Sequence, residues 1–281
     1  MNELFFVSDL HGHRHRYGAL VRQVLLDRPQ ALFLGGDLMP HFARMTEPGD
    51  FFADYLLPLF RDLRKEMGPH YPNVFAILGN DDPAIEEELM LEGETEGLWH
   101  YQHNRKTAFG PYTVYGYSCI PPTPFRLKDW ERYDVSRFAD PGCVHPTEGS
   151  RTVEPDEDIE YATIKKDLER LTGDDDLSEA IFLFHTPPYQ TSLDRAALDG
   201  VMVEHVPLDV HVGSIAVKEL IASRRPWITL HGHVHESTRL TGAWYERIGE
   251  THAFNAATDE KGLSLVRIPL SDPARAVRQI L

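Results

Sequence analysis

The chain has 281 residues, 44 of them Asp or Glu and 28 Lys or Arg, so its formal net charge is −16; 42% are hydrophobic. That balance suits one large α/β domain or two small ones with a sizeable core, excludes a disordered chain, and works against non-specific binding of nucleic acid. No run approaches the roughly 18 apolar residues of a membrane span, Met1-Asn2-Glu3-Leu4 does not open a signal peptide, and two cysteines, Cys119 and Cys143, read as reduced residues of a cytoplasmic protein.

Short β-rich runs alternate with amphipathic stretches along the chain. Leu4–Val7 reads as a strand followed by a helix over Arg16–Asp27, Ala31–Leu34 as a strand followed by Phe51–Glu66, and Val74–Leu78 as a strand followed by Pro83–Leu91. A strand over Tyr112–Tyr117 comes next, then a helix over Glu157–Leu171, a strand over Ile181–Phe184, a helix over Ser214–Ser223 and a strand over Trp227–Leu230. This order predicts βαβ units and a largely parallel sheet. Beyond Leu230 the helical pattern stops, and Arg239–Leu240, Tyr245–Ile248, His252–Asn255 and Leu263–Ile268 read as short strands of a closing β-meander in a second sheet. Residues 119–155, rich in proline, fit no regular element. Trp130, Tyr133 and Phe138 argue for an ordered surface excursion packed near the site.

Histidine carries the functional signal. With 15 in the chain, the His-x-His spacing is expected roughly 0.8 times by chance, yet it occurs four times, at 11/13, 13/15, 231/233 and 233/235. Both clusters follow a predicted strand, and histidine is the commonest metal ligand. Carboxylates and further polar groups fall at the same kind of place: Ser8-Asp9-Leu10-His11-Gly12, Gly35-Gly36-Asp37, Gly79-Asn80-Asp81-Asp82 and Phe184-His185-Thr186 each end a strand. Open α/β sheets place their ligands at such carboxyl ends. Each motif alone is weak; with His231-Gly232-His233-Val234-His235 as the last, five in this order are specific.

That order resembles the calcineurin-like metallophosphoesterase superfamily, with D-x-H, G-G-D, G-N-x-D/E, a lone H and G-H-x-H in sequence. The likeness runs over roughly residues 4 to 270. Thr186-Pro187-Pro188-Tyr189, His211-Val212-Gly213-Ser214 and Gly232-His233-Val234-His235-Glu236 look like the small bacterial and archaeal phosphoesterases related to cyclic-nucleotide phosphodiesterases. The resemblance implies a single domain over 1–281 with a four-layer α/β/β/α sandwich of two mixed sheets. It also implies two divalent metal ions, with Asp9, His11 and His235 on the first, Asn80, His185 and His233 on the second, and Asp37 bridging. Mixed carboxylate, amide and imidazole donors suit Mn²⁺ or Fe, with Zn²⁺ or Ni²⁺ as alternatives, better than Mg²⁺ or Ca²⁺. Two such ions lower the pKa of a bridging water toward about 7, so the implied reaction is attack of a metal-bridging hydroxide on phosphorus.

One position departs from the family pattern. Most members carry His after the Asn, where it assists the leaving group; here it is Asp81. A carboxylate beside two dications stays ionised and donates no proton. Asp81 then extends the metal shell or orients a water, or the substrates need little protonation, or His13 or His211 acts as the acid from another loop. Members of the smaller branch also commonly lack this His. Arg14 is the best candidate for a phosphate clamp, ahead of Arg126 and Arg132. Ser214 is a plausible N-cap, which would turn a helix N-terminus toward the phosphate beside His211. His15 and His231, and the run Asp174-Asp175-Asp176, take bland readings as surface, strand-end and turn residues, and Trp130 and Tyr133 read as packing of the long loop.

The reading is therefore a dinuclear-metal phosphoesterase acting on small phosphodiesters. Its alternatives are a phosphomonoesterase of the same fold and a catalytically weak binding or scaffold module. Long nucleic acid is not expected as a partner, and the oligomeric state, a homo-oligomer included, stays open.

Overall fold

Leu4 and Phe6 leave the first strand on one side and Phe5 and Val7 on the other, and all four are buried. A strand apolar on both faces belongs inside a layered fold. The computed structural model describes residues 3–41, 51–155 and 158–281. In chain order its elements are β1 (Glu3–Val7), α1 (Arg14–Asp27), β2 (Ala31–Gly35), α2 (Leu57–Met67), β3 (Asn73–Ile77), α3 (Glu87–Thr95), β4 (His100–Tyr101), β5 (Arg105–Phe109), β6 (Tyr112–Tyr117) and α4 (Ile164–Thr172). These are followed by β7 (Ala180–Phe184), β8 (Met202–Val203), β9 (Val206–Pro207), α5 (Ile215–Arg224), β10 (Ile228–His231), α6 (Ser237–Thr241), β11 (Tyr245–Ile248), β12 (Thr251–Asn255), β13 (Ser264–Pro269) and β14 (Val277–Ile280).

Two six-stranded mixed sheets result, in the orders β14-β13-β1-β2-β3-β4 and β11-β12-β10-β7-β6-β5. The central strands run parallel in both, β1-β2-β3 in one and β6-β7-β10-β12 in the other, while β13 and β14 and the edges β5 and β11 pair antiparallel. The inward set, including Phe6, Phe33, Phe75, Ile181, Leu183 and Leu230, forms one core between the sheets. The outward set, Phe5, Val7, Leu32 and Leu34 on one sheet and Phe182 and Phe184 on the other, is buried with the apolar faces of α1 and α2 (Leu20, Val24, Phe60, Leu63) and of α4 and α5 (Leu168, Val217, Ile221). The result is the α/β/β/α sandwich, in which every parallel strand end lies on one rim.

Local sequence chemistry sets the element ends. Arg28 and Arg225 close α1 and α5 in the left-handed conformation, each followed by a proline that blocks extension. Thr163 caps α4 by accepting from the Lys166 amide, so the helix expected over Glu157–Leu171 starts only at Ile164; Glu157 itself lies outside the described residues. The stretch expected as one helix over Phe51–Glu66 opens with a widened π turn, Phe52–Leu56, ahead of Pro58, which has no N–H to continue the α-helical ladder.

Two expectations for the C-terminal region fail. Arg239 and Leu240 lie in the short helix α6, which turns the chain back at Gly242; a two-residue run is too short for periodicity to separate strand from helix. The last strands also do not form one meander: β11 and β12 join the second sheet, while β13 crosses to pair with β1, Phe6 opposite Val266. The edge strand β5 carries no apolar run to betray it, because Arg105, Lys106 and Ala108 face solvent, as edge strands tend to.

Candidate metal centre

At the rim the chain turns sharply after β1, β2 and β10, and it does so through residues that are not glycine as well as through Gly12 and Gly36. Asp9 (φ 57°), His11 (46°), Asp37 (51°) and His233 (68°) all adopt the left-handed region, at a cost of about 1–3 kcal/mol each. Hydrogen bonds between loops hold these conformations. The amides of Asp9 and His11 donate to the carbonyls of Gly36 (3.0 Å) and Asp37 (2.8 Å), and the His233 amide donates to both Asp9 carboxylate oxygens at 3.1 Å. Glycine is required where the loops touch: a Cβ on Gly79 would stand 2.3 Å from Asp37 Oδ1, and one on Gly232 2.1 Å from Ser8 Oγ.

The side chains so presented converge. His235 Nε2 lies 3.0 Å from Asp9 Oδ1 and 3.1 Å from His11 Nε2. Ligand atoms of Asp9, His11, Asp37 and His235 all fall within 4.8 Å of one another. Beside them, His185 Nε2 is 3.0 Å from Asn80 Oδ1 and 3.3 Å from Asp37 Oδ2, with the His233 ring centred 5.3 Å from that of His185. One oxygen, Asp37 Oδ2, faces both groups, being also 3.8 Å from His11 Nε2. His185 is oriented from behind, its Nδ1 bonded to the Gly35 carbonyl at 2.8 Å, which turns Nε2 inward.

Electrostatics favour a cation here. Burial lowers the pKa of His185, but Asp37 and Asp9 overcome it and hold the imidazolium up to about 10; His235 is likewise held at about 9 by Asp9 and Asp37 against burial. Burial, with His185 nearby, drives His233 down to about 3, leaving it neutral. Metal–nitrogen and metal–oxygen bonds of about 2.0–2.2 Å place adjacent donors about 3 Å apart around one ion, which matches the closest of these separations. The nitrogen and oxygen donor set therefore fits divalent transition-metal ions.

The profile of the calcineurin-like phosphoesterases matches residues 4–237. The chain belongs to this family. As a family member it is a metal-dependent phosphoesterase, and the family implies a dinuclear divalent metal centre. Among solved structures, the protein TT1561 of Thermus thermophilus is similar at 18% identity and a TM-score of 0.62, covering 99% of this chain and 98% of that one. A dimetal phosphatase from Danio rerio matches at 10% identity and a TM-score of 0.51, covering 96% of this chain and 92% of that one. These likenesses concern the fold. No curated protein sequence matches the chain.

In this phosphoesterase Asp81, which stands where most of the family has His, keeps its backbone in the site: its amide donates to Asp37 Oδ1 at 2.8 Å. Its carboxylate faces the outer nitrogen of His11 at 3.7 Å and His41 Nε2 at 3.8 Å. His13 is exposed but lines the same opening as His11 and His235. His211 sits in a second opening beside His233, its Nδ1 bonded to Asp194 at 2.7 Å. Arg14 lines neither opening; its guanidinium stacks on Tyr55 with 4.7 Å to the ring centre. His15 bonds the Lys261 carbonyl, and buried His231 bonds the Thr186 carbonyl and Thr229.

The expected helix N-terminus is not open to phosphate. Ser214 does cap α5 through the Val217 amide (3.1 Å), but the Asp134 carboxylate already occupies the amides of Ile215 (2.6 Å) and Ala216 (3.2 Å). Trp130 and Tyr133 are buried packing residues, the indole N–H donating to the Asp82 carbonyl.

Three positioning residues escape the sequence reading. Arg16, buried, donates to the Asp9 carbonyl at 2.7 Å. Asp82 accepts from the amides of Leu38, Met39 and Gly79, tying the β2 loop to the β3 loop; burial pushes its carboxyl up to about 8 even against these donors. Asp194 accepts from the amides of Gln190, Thr191 and Gly213 and so fixes His211. Adjacent acids in the G-N-D-D motif were the only sequence signal for Asp82.

Proposed function

We propose that the chain hydrolyses small phosphodiesters at a dinuclear centre, with Asp9, His11 and His235 on one ion, Asn80, His185 and His233 on the other, and Asp37 shared. Mn²⁺ or Fe are the preferred metals, in keeping with the histidine-rich donor set. When bound, the pair of ions supplies positive charge to the phosphoryl oxygens and acidifies a water molecule.

The observation that carries the diester reading is that the histidine cluster opens on two sides. One opening, about 540 Å³, is lined by His11, His235, Arg16, His41, Asp81 and Asp259. The other, about 320 Å³, begins at His233 and His211. A phosphodiester has two organic arms, and two openings on opposite members of the His233–His235 pair give each arm a place. A monoester would use only one.

His211 is the residue we assign to the proton. Nδ1–H of His211 donates to the Asp194 carboxylate, itself held by three amides, and keeps its proton. The proton delivered to the leaving oxygen is the one the imidazolium carries on Nε2, which leaves neutral imidazole behind. Asp81, in the wall of the first opening, faces His11 and orients that ring.

The test is metal analysis of the purified chain followed by hydrolysis of bis(p-nitrophenyl) phosphate and p-nitrophenyl phosphate with added Mn²⁺. The proposal expects two ions per chain and a kcat/KM for the diester about tenfold or more above the monoester, abolished in Asp37→Asn. Preference for the monoester would make the chain a phosphomonoesterase; two bound ions without turnover would make it a binding module.

A further inference from the structure

We infer that one arm of the substrate is an apolar alcohol moiety bearing no negative charge, seated in the opening beside His211. The inference rests on the phosphodiester reading above and narrows it to a substrate class.

The cavity of about 320 Å³ is a cleft between the long excursion and the loop that carries His211, with His233 at its inner end. It lies at the small end of ligand-sized pockets, about 300–1,000 Å³, so it holds one modest group such as an aryl ring or a short branched chain. Its walls are apolar: Phe138 from the excursion faces Leu198, Leu208, Val212 and Ile215. Phe138 is 66% exposed, which leaves a large aromatic side chain over the cleft with nothing of this chain to cover it among the described residues. Enclosing a ring there would remove apolar surface from water on both partners.

Charge sets the other half of the specificity. No Lys or Arg lines this cleft among the described residues, whereas Asp140 and Asp209 do. Asp209 is fixed by the Tyr189 hydroxyl (2.6 Å) and the His211 amide (2.9 Å), and burial, with Asp209 nearby, makes Asp140 harder to ionise. A second phosphate or a carboxylate on this arm would meet acidic groups and no cation, and would lose its water without a partner. The opening beside His235 also carries acids, Asp81 and Asp259, but there they stand with Arg16 and with His11, His13 and His41. The two arms are thus sorted: the polar one beside His235, the apolar one beside His233.

Binding distinguishes this without relying on turnover. The Mn²⁺-loaded protein is titrated by calorimetry with methylphosphonate, phenylphosphonate and 4-carboxyphenylphosphonate, alongside the diester assay above. Phenylphosphonate should bind at least about tenfold more tightly than methylphosphonate, and 4-carboxyphenylphosphonate no more tightly than methylphosphonate. Phe138→Ser, at an exposed position that the fold tolerates, should erase the phenyl advantage while methylphosphonate binding persists. Asp140→Lys should make the carboxylated ligand the better one. Equal binding of the two aryl ligands to the wild type, no effect of either substitution, or no binding of any phosphonate would each overturn the inference. Discrimination among ligands without diester hydrolysis supports the apolar cleft and removes the diesterase; hydrolysis without discrimination does the reverse.

Discussion

At the scale of single residues, the centre depends on acceptors that never touch a substrate. Removing the Asp82 side chain leaves the buried amides of Leu38, Met39 and Gly79 without it, and an orphaned buried donor costs about 1–3 kcal/mol. Asp82→Ala should therefore lower the unfolding free energy of the metal-free protein by about 3 kcal/mol or more, read in urea. The neighbouring position behaves differently. Asp81→His should keep the metal content, because the ligand amide and side chains stay in place, and should raise kcat/KM for alkyl esters more than for aryl esters, whose leaving oxygens need no proton. Equal gains in a leaving-group series would remove proton donation as the explanation. His211→Asn should show the opposite signature, losing more on alkyl than on aryl esters. The convergence of Asp9, His11, Asp37, Asn80, His185, His233 and His235 was legible in sequence because each follows a strand in a short motif. Asp82, Arg16 and Asp194 were not, because their importance lies in which backbone groups of distant loops they meet.

At the scale of elements, the long excursion is ordered by polar anchors rather than by regular structure. Buried Lys128 pairs with buried Glu131, and Glu131 also accepts from the Thr123 amide and hydroxyl. Asp134 then ties the segment to α5 through the Ser214 hydroxyl and the amides of Ile215 and Ala216. Loss of the Ser214 cap in Ser214→Ala should cost about 1 kcal/mol. Asp134→Ala, which removes the acceptor of three donors at once, two of them part-buried, should cost more, and thermal melts of the two variants side by side would show the order. Central strands were legible because apolar runs covered on both faces survive any local context. The edges β5 and β14, the split of the last four strands between two sheets, and the α6 turn were not, since pairing partners are chosen by tertiary position and not by the few residues involved.

At the scale of the molecule, the centre draws on both halves of the sandwich. Asp9, His11, Asp37 and Asn80 follow strands of the first sheet, and His185, His233 and His235 follow strands of the second. Ions that bind only the folded chain stabilise it by mass action, about 2.7 kcal/mol at one hundred times the dissociation constant. Chelation should lower Tm measurably, and readdition of Mn²⁺ should restore it; an unchanged Tm would mean that the sheets are held by the apolar layer alone. The net charge of −16 located nothing, because the two acids at the centre, Asp9 and Asp37, are a small part of 44.

The contact between Asp9 and His235 joins residues 226 positions apart. A chain emerging from the ribosome makes its first strand and the D-x-H loop early, but His233 and His235 arrive only when most of the sequence has been synthesised. No shorter nascent fragment holds the complete donor set. Closing the contact between Asp9 and His235 is a long-range step of the kind that slows folding of such topologies.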